Sequence, residues 1–404
     1  MTGSALLELV ASSEVLVVGG AGGVGKTTTA AALGLVGAVD LGRSVLVITV
    51  DPARRLAGAM GLGALTNDPL DVSIDHLQSL SEGRPPIGKL AASMLDMKAS
   101  WDEMILRCAP DAATAKSIME NPIYGSISSR FVQSHDYIAI ENLFELHRSG
   151  HYDLIVVDTP PSRNAIDFLE APRRMEEFFS SRLLRWLTLP RRSRLVSSAF
   201  RPFYTVAERV LGSRFLGDLS DFFLSFQSLH GGFVERARAV TALLGAPSTS
   251  FLVVTAAEEA PTTEAIYLAH ELTSRSLALG GIIVNRTLPD ELVTLRSKAL
   301  GHAIADDPAP YAREALELLR PGSSDSEVPS GVTELGSDQQ IMTRVLVEVA
   351  NCYDAMAVMK ERERIQCGRL STFEDRIFRA PQLEAEVASL EVLLMLGRAL
   401  VLAE

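Results

Sequence analysis

Residues 19–29 read GGAGGVGKTTT, and the stretch can be parsed in two ways that lead to different chemistries. Gly20, Gly22 and Gly25 satisfy G-x-G-x-x-G, the dinucleotide fingerprint, while Gly20 through Thr27 satisfy G-x-x-x-x-G-K-[ST], the phosphate-cradling P-loop. Lys26 and Thr27 weigh for the second reading. A dinucleotide turn has no task for a lysine directly after its last glycine, whereas a triphosphate loop uses that lysine on the β- and γ-phosphates and the next hydroxyl on Mg²⁺. The backbone N–H groups of Gly22, Gly23, Val24, Gly25, Lys26, Thr27 and Thr28, with the start of the following helix, then form the anion hole. Asp51, leaving the next strand, stands where a ribose-binding acid belongs, so an NAD-binding oxidoreductase stays open as an alternative. A glycine-rich turn without a ligand is the plainest reading of all.

The flanking sequence supplies strand, loop and helix in the required order. EVLVVGG (14–20) is a short apolar run closing on glycines, TTTAAALGLVGAVDLG (27–42) has helical composition, and SVLVITVD (44–51) is a second buried strand. The alternation continues with a helix near 136–149, strands at 152–158 and 250–256, a helix near 262–278 and a strand at 280–285. Buried apolar strands separated by helices predict an α/β fold: a mostly parallel, doubly wound sheet with helices on both faces. Residues 1–171 and 245–404 are read as this core. The stretch 172–244 shows only helical signal and reads as a helical insertion. A Pro/Gly/Ser-rich linker spans 321–338, followed by a helix near 339–366, a strand-like run at 376–383 and a helix over 385–402.

Bulk properties narrow the function classes. With 404 residues, 47% of them apolar, the chain can bury a large core. A net charge of -12 argues against broad nucleic-acid binding, which needs a basic footprint. Cys108, Cys352 and Cys367 are far apart and form no C-x-x-C pair, so no zinc site and no disulfide framework is expected. No basic n-region opens the chain and no window reaches the roughly 18 apolar residues of a membrane span. A cytoplasmic protein, at most peripheral to a membrane, is the expectation.

LIVVDTPP (154–161) is a strand ending in an acid, which suits the carboxylate that organises Mg²⁺ beside a P-loop. Asp158 is that candidate, and Thr27 its partner as a metal ligand. With GGAGGVGKTTTA, VDPARRLAGAM (50–60), VVDTPPSRNAIDFLEAPRR (156–174) and GGIIVNR (280–286) in order, the chain resembles the ArsA-like ATPases, the family of the arsenical-pump ATPase and of the ATPase that escorts tail-anchored membrane proteins. The likeness looks nearest to its actinobacterial branch. The resemblance implies a P-loop NTPase fold, ATP and Mg²⁺ as ligands, and nucleotide sandwiched at a homodimer or heterodimer interface. It gives Asp51 the role of orienting the attacking water, with Lys26 as the other catalytic residue. It gives Asn285 the adenine hydrogen bond and Pro381 a place on the other face of the base, and it puts switch segments at 51–53 and 158–161.

Position 21 departs from that pattern. Family loops usually read G-K-G-G-V-G-K-T, with the first lysine crossing to the nucleotide of the other subunit, and this chain has Ala21 there. Three expectations compete. The chain pairs with a lysine-bearing paralogue, an arginine (Arg54, Arg55 or Arg163) substitutes, or hydrolysis is slow and the chain acts as a nucleotide-binding subunit. Residues 172–214 are locally basic, with Arg185, Arg191, Arg192 and Arg194 among aromatics such as Phe178, Phe179 and Trp186. That pattern resembles a basic amphipathic surface for a membrane or a hydrophobic partner, and equally a helical subdomain that buries its own aromatics.

Overall fold

Strand β1 (Val15–Gly20) is aliphatic at every position before its glycines, so its two faces must both be covered. They are. Val15 and Val17 enter one hydrophobic core, and Leu16 and Val18 enter a second core on the opposite face. The computed structural model describes residues 5–49, 55–81, 87–124, 132–159, 170–174, 177, 218–219, 221–222, 224–225, 228–319, 335–383 and 389–402.

The other strands are β2 (Ser44–Thr49), β3 (Leu70–Asp71), β4 (Lys89–Met94), β5 (Leu154–Asp158), β6 (Thr249–Ala256), β7 (Leu279–Thr287) and β8 (Ile377–Pro381). They form one eight-stranded sheet of order β3-β4-β2-β5-β1-β6-β7-β8. Every pairing is parallel except β3 with β4. The mostly parallel α/β sheet expected from the sequence is therefore present. Its central strand is β1, with β5 on one side and β6 on the other, and in such sheets ligands bind beyond the carboxyl ends where the crossovers diverge.

Helices with defined bounds are α1 (Ala5–Ser12), α2 (Lys26–Val39), α3 (Arg55–Ala59), α4 (Ile74–Leu80), α5 (Met97–Cys108), α6 (Ala112–Met119), α7 (Val132–Arg148), α8 (His230–Leu244), α9 (Glu259–Ser274), α10 (Leu295–Asp306), α11 (Pro308–Leu319), α12 (Leu335–Gly368) and α13 (Leu390–Leu402). Helix α2 is Ala- and Leu-rich and is buried from Thr29 to Val39. It lies between the sheet and α13. Gly397 of α13 sits so close that a Cβ there would come within 2.6 Å of the Ala32 carbonyl oxygen.

On the opposite face α8 packs on α5 and α7 through Phe233, Ala237 and Val240, all of them buried. The end of the stretch read as an insertion is thus built into the main core. The remainder of 172–244, including the basic aromatic run, lies almost wholly outside the described residues. The same holds for residues 320–334, and α12 already begins at Leu335, inside the stretch read as a linker.

Helices α5, α7 and α8 also share a buried ion cluster. Arg236 Nη1 donates to Glu141 Oε1 at 2.6 Å and also to Glu145, while Arg107 approaches Glu141 at 3.4 Å. Glu141 is 1% exposed, and burial raises its carboxyl above the ordinary value although Arg107 and Arg236 act against the rise. Burial also pushes the neighbouring Cys108 thiol up to about 11, so it is an inert core thiol.

Candidate nucleotide site

The site grows from the carboxyl ends of five adjacent strands, β2, β5, β1, β6 and β7. Gly20 closes β1 at φ 149°, and a Cβ there would lie 2.1 Å from the Val254 carbonyl oxygen of β6, so only glycine fits. Gly25 has φ 99° and no room either, because a Cβ would lie 2.1 Å from Asn285 Nδ2. Gly22 and Gly23 meet nothing within 4 Å and are exposed, which leaves one side of the loop open for a large anion. Helix α2 follows at once. Its N-cap is Gly25, which contributes no side-chain hydrogen bond, so no cap of the chain's own competes for the first-turn N–H groups.

Lys26 is only 8% exposed and its Nζ donates to the Ala21 carbonyl at 2.8 Å, which folds the lysine back over the loop. Thr27 and Thr28 are half-buried on the first turn of α2. Thr27 Oγ1 donates to Asp158 Oδ2 at 2.6 Å, and Thr49 Oγ1 donates to the same oxygen at 3.0 Å. The register of the sheet explains the convergence, since Thr49 of β2 and Val18 of β1 both stand opposite Asp158 of β5. Thr159, the next residue, is tied to β1 through both its N–H and its hydroxyl, which donate to the Val18 carbonyl at 3.1 and 3.0 Å.

These donors fit the expected cation. A threonine hydroxyl and a carboxylate are hard oxygen ligands, of the kind that hold Mg²⁺ together with phosphate and water. Among the described residues no group of three or more His, Cys, Asp and Glu is placed to hold a metal by itself. The chain would therefore supply Thr27 and Asp158, and the nucleotide and water the rest.

Asn285 ends the aliphatic part of β7 and is 6% exposed. Its Nδ2 donates to the Val24 carbonyl at 2.8 Å and its Oδ1 accepts from Arg286 N–H at 3.0 Å. The side chain therefore clasps the P-loop from the end of β7, two strands along the sheet from β1. Pro381 is exposed at the end of β8, opposite Thr287 and two positions further along the sheet edge than Asn285. Lys26, Thr27, Asp158 and Asn285 are thus brought together. Asp51, Arg54 and Arg163 lie outside the described residues, as does the side chain of Arg55. Thr49 was missed in the sequence, although a polar residue ending the aliphatic SVLVIT run was a visible signal.

The family model for anion-transporting ATPases matches residues 13–300. The chain belongs to that ATPase family. Curated relatives agree with the assignment. ATPase get3 of Schizosaccharomyces japonicus is 26% identical over 285 residues, covering 69% of this chain and 76% of that protein. ATPase GET3 of Mycosarcoma maydis is 26% identical over 276 residues, 68% and 72% of the two chains. An ATPase ASNA1 homolog of Entamoeba dispar is 23% identical over 301 residues, 70% and 80%. The two readings of residues 19–29 resolve accordingly. This anion-transporting ATPase family member carries a P-loop, and the dinucleotide parsing has no support from the family, from Lys26 or from the bond between Thr27 and Asp158. No described helix is long and apolar enough to cross a membrane.

Proposed function

We propose that this ATPase binds MgATP in the loop of residues 20–28 and works as a dimer, using nucleotide binding and hydrolysis to switch its subunits and handle a hydrophobic or anionic cargo. The observation that carries the reading is the convergence of Thr27 and Thr49 on one oxygen of the buried Asp158, next to a glycine loop whose outer side is open. Lys26 leaves the Ala21 carbonyl for the β- and γ-phosphates, and the loop N–H groups hold the phosphate oxygens. Mg²⁺, when bound, neutralises charge building on the phosphates. Asp158 and Thr27 would hold the cation, and Thr49 fixes the carboxylate. Asp51 positions the attacking water. Asn285 reads the adenine and Pro381 packs on the base.

Ala21 favours a second reading of the same site, in which the chain hydrolyses slowly or completes a heterodimer with a lysine-bearing paralogue. Residue 21 is 6% exposed and packed into the core around α2, so no cation leaves the loop at this position. A missing cation of that kind costs on the order of 10³-fold in rate where it acts as a finger. Arg54, Arg55 and Arg163 are the candidates to compensate. The test is steady-state ATP hydrolysis across a series of chain concentrations beside Asp51→Asn, with ATP affinity measured separately. Turnover per chain that climbs with concentration and is lost in the variant supports the homodimer. Tight ATP binding without turnover supports the heterodimer subunit, and no ATP binding refutes both.

A further inference from the structure

We infer that α12 carries a self-association surface, on which a second copy of this chain docks its own α12 in antiparallel orientation, away from the nucleotide site. Val345, Val349, Cys352, Met356 and Met359 follow the alternating four- and three-residue spacing of a coiled-coil seam. At 1.5 Å per residue the seam is about 21 Å long. All five are exposed, Val345 at 48%, Val349 at 52%, Met356 at 39% and Met359 at 55%, with Cys352 at the centre. Several of them line an open groove of about 520 Å³ with Leu292 and Tyr353. Ile341, Val358 and Ile365 are exposed on the same helix as well, but only the five seam residues form a regular stripe along one face, and such a stripe marks an interface.

The flanks of the seam decide both occupant and orientation. On one flank stand Leu346, Tyr353 and Lys360, and the chain's own packing takes that side. Tyr353 lies against Gly301 and donates to the Leu292 carbonyl at 2.7 Å, and Lys360 donates to the Leu288 carbonyl at 2.6 Å. The other flank carries Glu348, Ala355 and Arg362, and it is open. In a parallel pair each open flank meets the blocked flank of the other helix, whereas in an antiparallel pair open flank meets open flank. Glu348 and Arg362 lie at equal distances on either side of Ala355. With the two-fold axis at Ala355, each Glu348 therefore faces an Arg362 of the partner subunit, and the small alanines permit close approach. Such self-complementarity is what an isologous interface requires. Neither Glu348 nor Arg362 has an ion-pair partner among the described residues. The nearby stretch 321–334, PGSSDSEVPSGVTE, offers only Val328 and Val332 as branched apolar residues and is poorly suited to cover the stripe.

The experiment is light scattering and sedimentation equilibrium on the full chain without nucleotide. The wild type is expected to be dimeric, and Val349→Glu/Met356→Glu to weaken association by more than about 100-fold, since two central apolar anchors are lost. Circular dichroism and ATP affinity of the double variant are expected to match the wild type, because neither position touches the phosphate loop. Glu348→Arg should weaken the dimer, and Glu348→Arg/Arg362→Glu should restore it. Met356→Cys, placed beside Cys352 of the partner subunit, should trap a disulfide-linked dimer under mild oxidation. A monomeric nucleotide-free wild type, or a dimer indifferent to Val349→Glu/Met356→Glu, would overturn the inference. In the monomeric case, protection of Cys352 from a maleimide would show that the chain's own residues cover the stripe. The ATP affinities read in parallel test the proposed function separately.

Discussion

Gly25→Ala combined with Asn285→Ala forms a double-mutant cycle that tests whether the phosphate loop is clasped from β7. Gly25 has φ 99°, so alanine there carries backbone strain of about 1–3 kcal/mol. The new Cβ would also lie 2.1 Å from Asn285 Nδ2, which forces the amide aside and breaks its 2.8 Å bond to the Val24 carbonyl. Leaving that buried carbonyl without its donor costs a further ~1–3 kcal/mol, for a total of about 2–6 kcal/mol in Gly25→Ala. Asn285→Ala loses the same bond without the strain and should cost about 1–3 kcal/mol. In the double variant the bond is lost once and the clash is gone, so its cost should fall short of the sum of the singles by about 1–3 kcal/mol. Urea denaturation of the four proteins, fitted with a common slope, gives the coupling. Costs that add to within about 0.5 kcal/mol would refute the clasp, since independent sites behave that way.

Further outcomes follow from the same geometry. Lys26→Met should abolish measurable ATP turnover, because the lysine of a phosphate loop carries the charge that meets the β- and γ-phosphates, and steady-state hydrolysis checks it. Asp158→Asn should raise the Mg²⁺ concentration needed for half-maximal activity by about tenfold or more, read from a Mg²⁺ titration at fixed ATP, with a smaller shift in the same direction for Thr49→Val. Glu141→Gln should change the pH dependence of stability above the ordinary carboxylate value of 4.5, because Glu141 in the folded protein holds its proton to higher pH than in the unfolded chain. Between 4.5 and the raised value the folded state binds more protons, so the Glu141 contribution falls as pH rises. The wild-type-minus-variant difference in urea stability should therefore decline as pH rises above 4.5 towards the raised value, and parallel curves would contradict the assignment.

The strands that frame the site were legible because they are buried on both faces and need aliphatic residues in unbroken runs, as in VLVV, SVLVI and LIVV. β4 was not. Its sequence KLAASM is diluted by Ala91, Ala92 and Ser93, yet all three are buried, Ala91 in the core on one face of the sheet and Ala92 in the core on the other. The helix expected near 262–278 runs instead from Glu259 to Ser274, and Ser276 at φ 58° turns the chain toward β7. That turn depends on one backbone conformation that composition does not announce. The site divides in the same way. Lys26, Thr27 and Asp158 could be named because each sits in a local pattern with a fixed chemical task. The clasp by Asn285 joins residues far apart in sequence through one amide, and the Arg236–Glu141 cluster joins three helices. Only the folded chain shows such contacts.

The cover that α13 provides for α2 has a consequence for the order in which the protein is made. The helix that begins with Lys26 and Thr27 leaves the ribosome long before its cover does, and the face of it that receives Gly397 stays bare until residues 390–402 have been translated and released. Until then α2 has the sheet and its contacts with α1, α3 and α4 but lacks its main outer cover, and exposed apolar surface of that kind is aggregation-prone in a nascent chain. Ligand-assisted folding is thereby postponed until residues 390–402 have emerged, when the nucleotide first meets a cradle that is closed from behind.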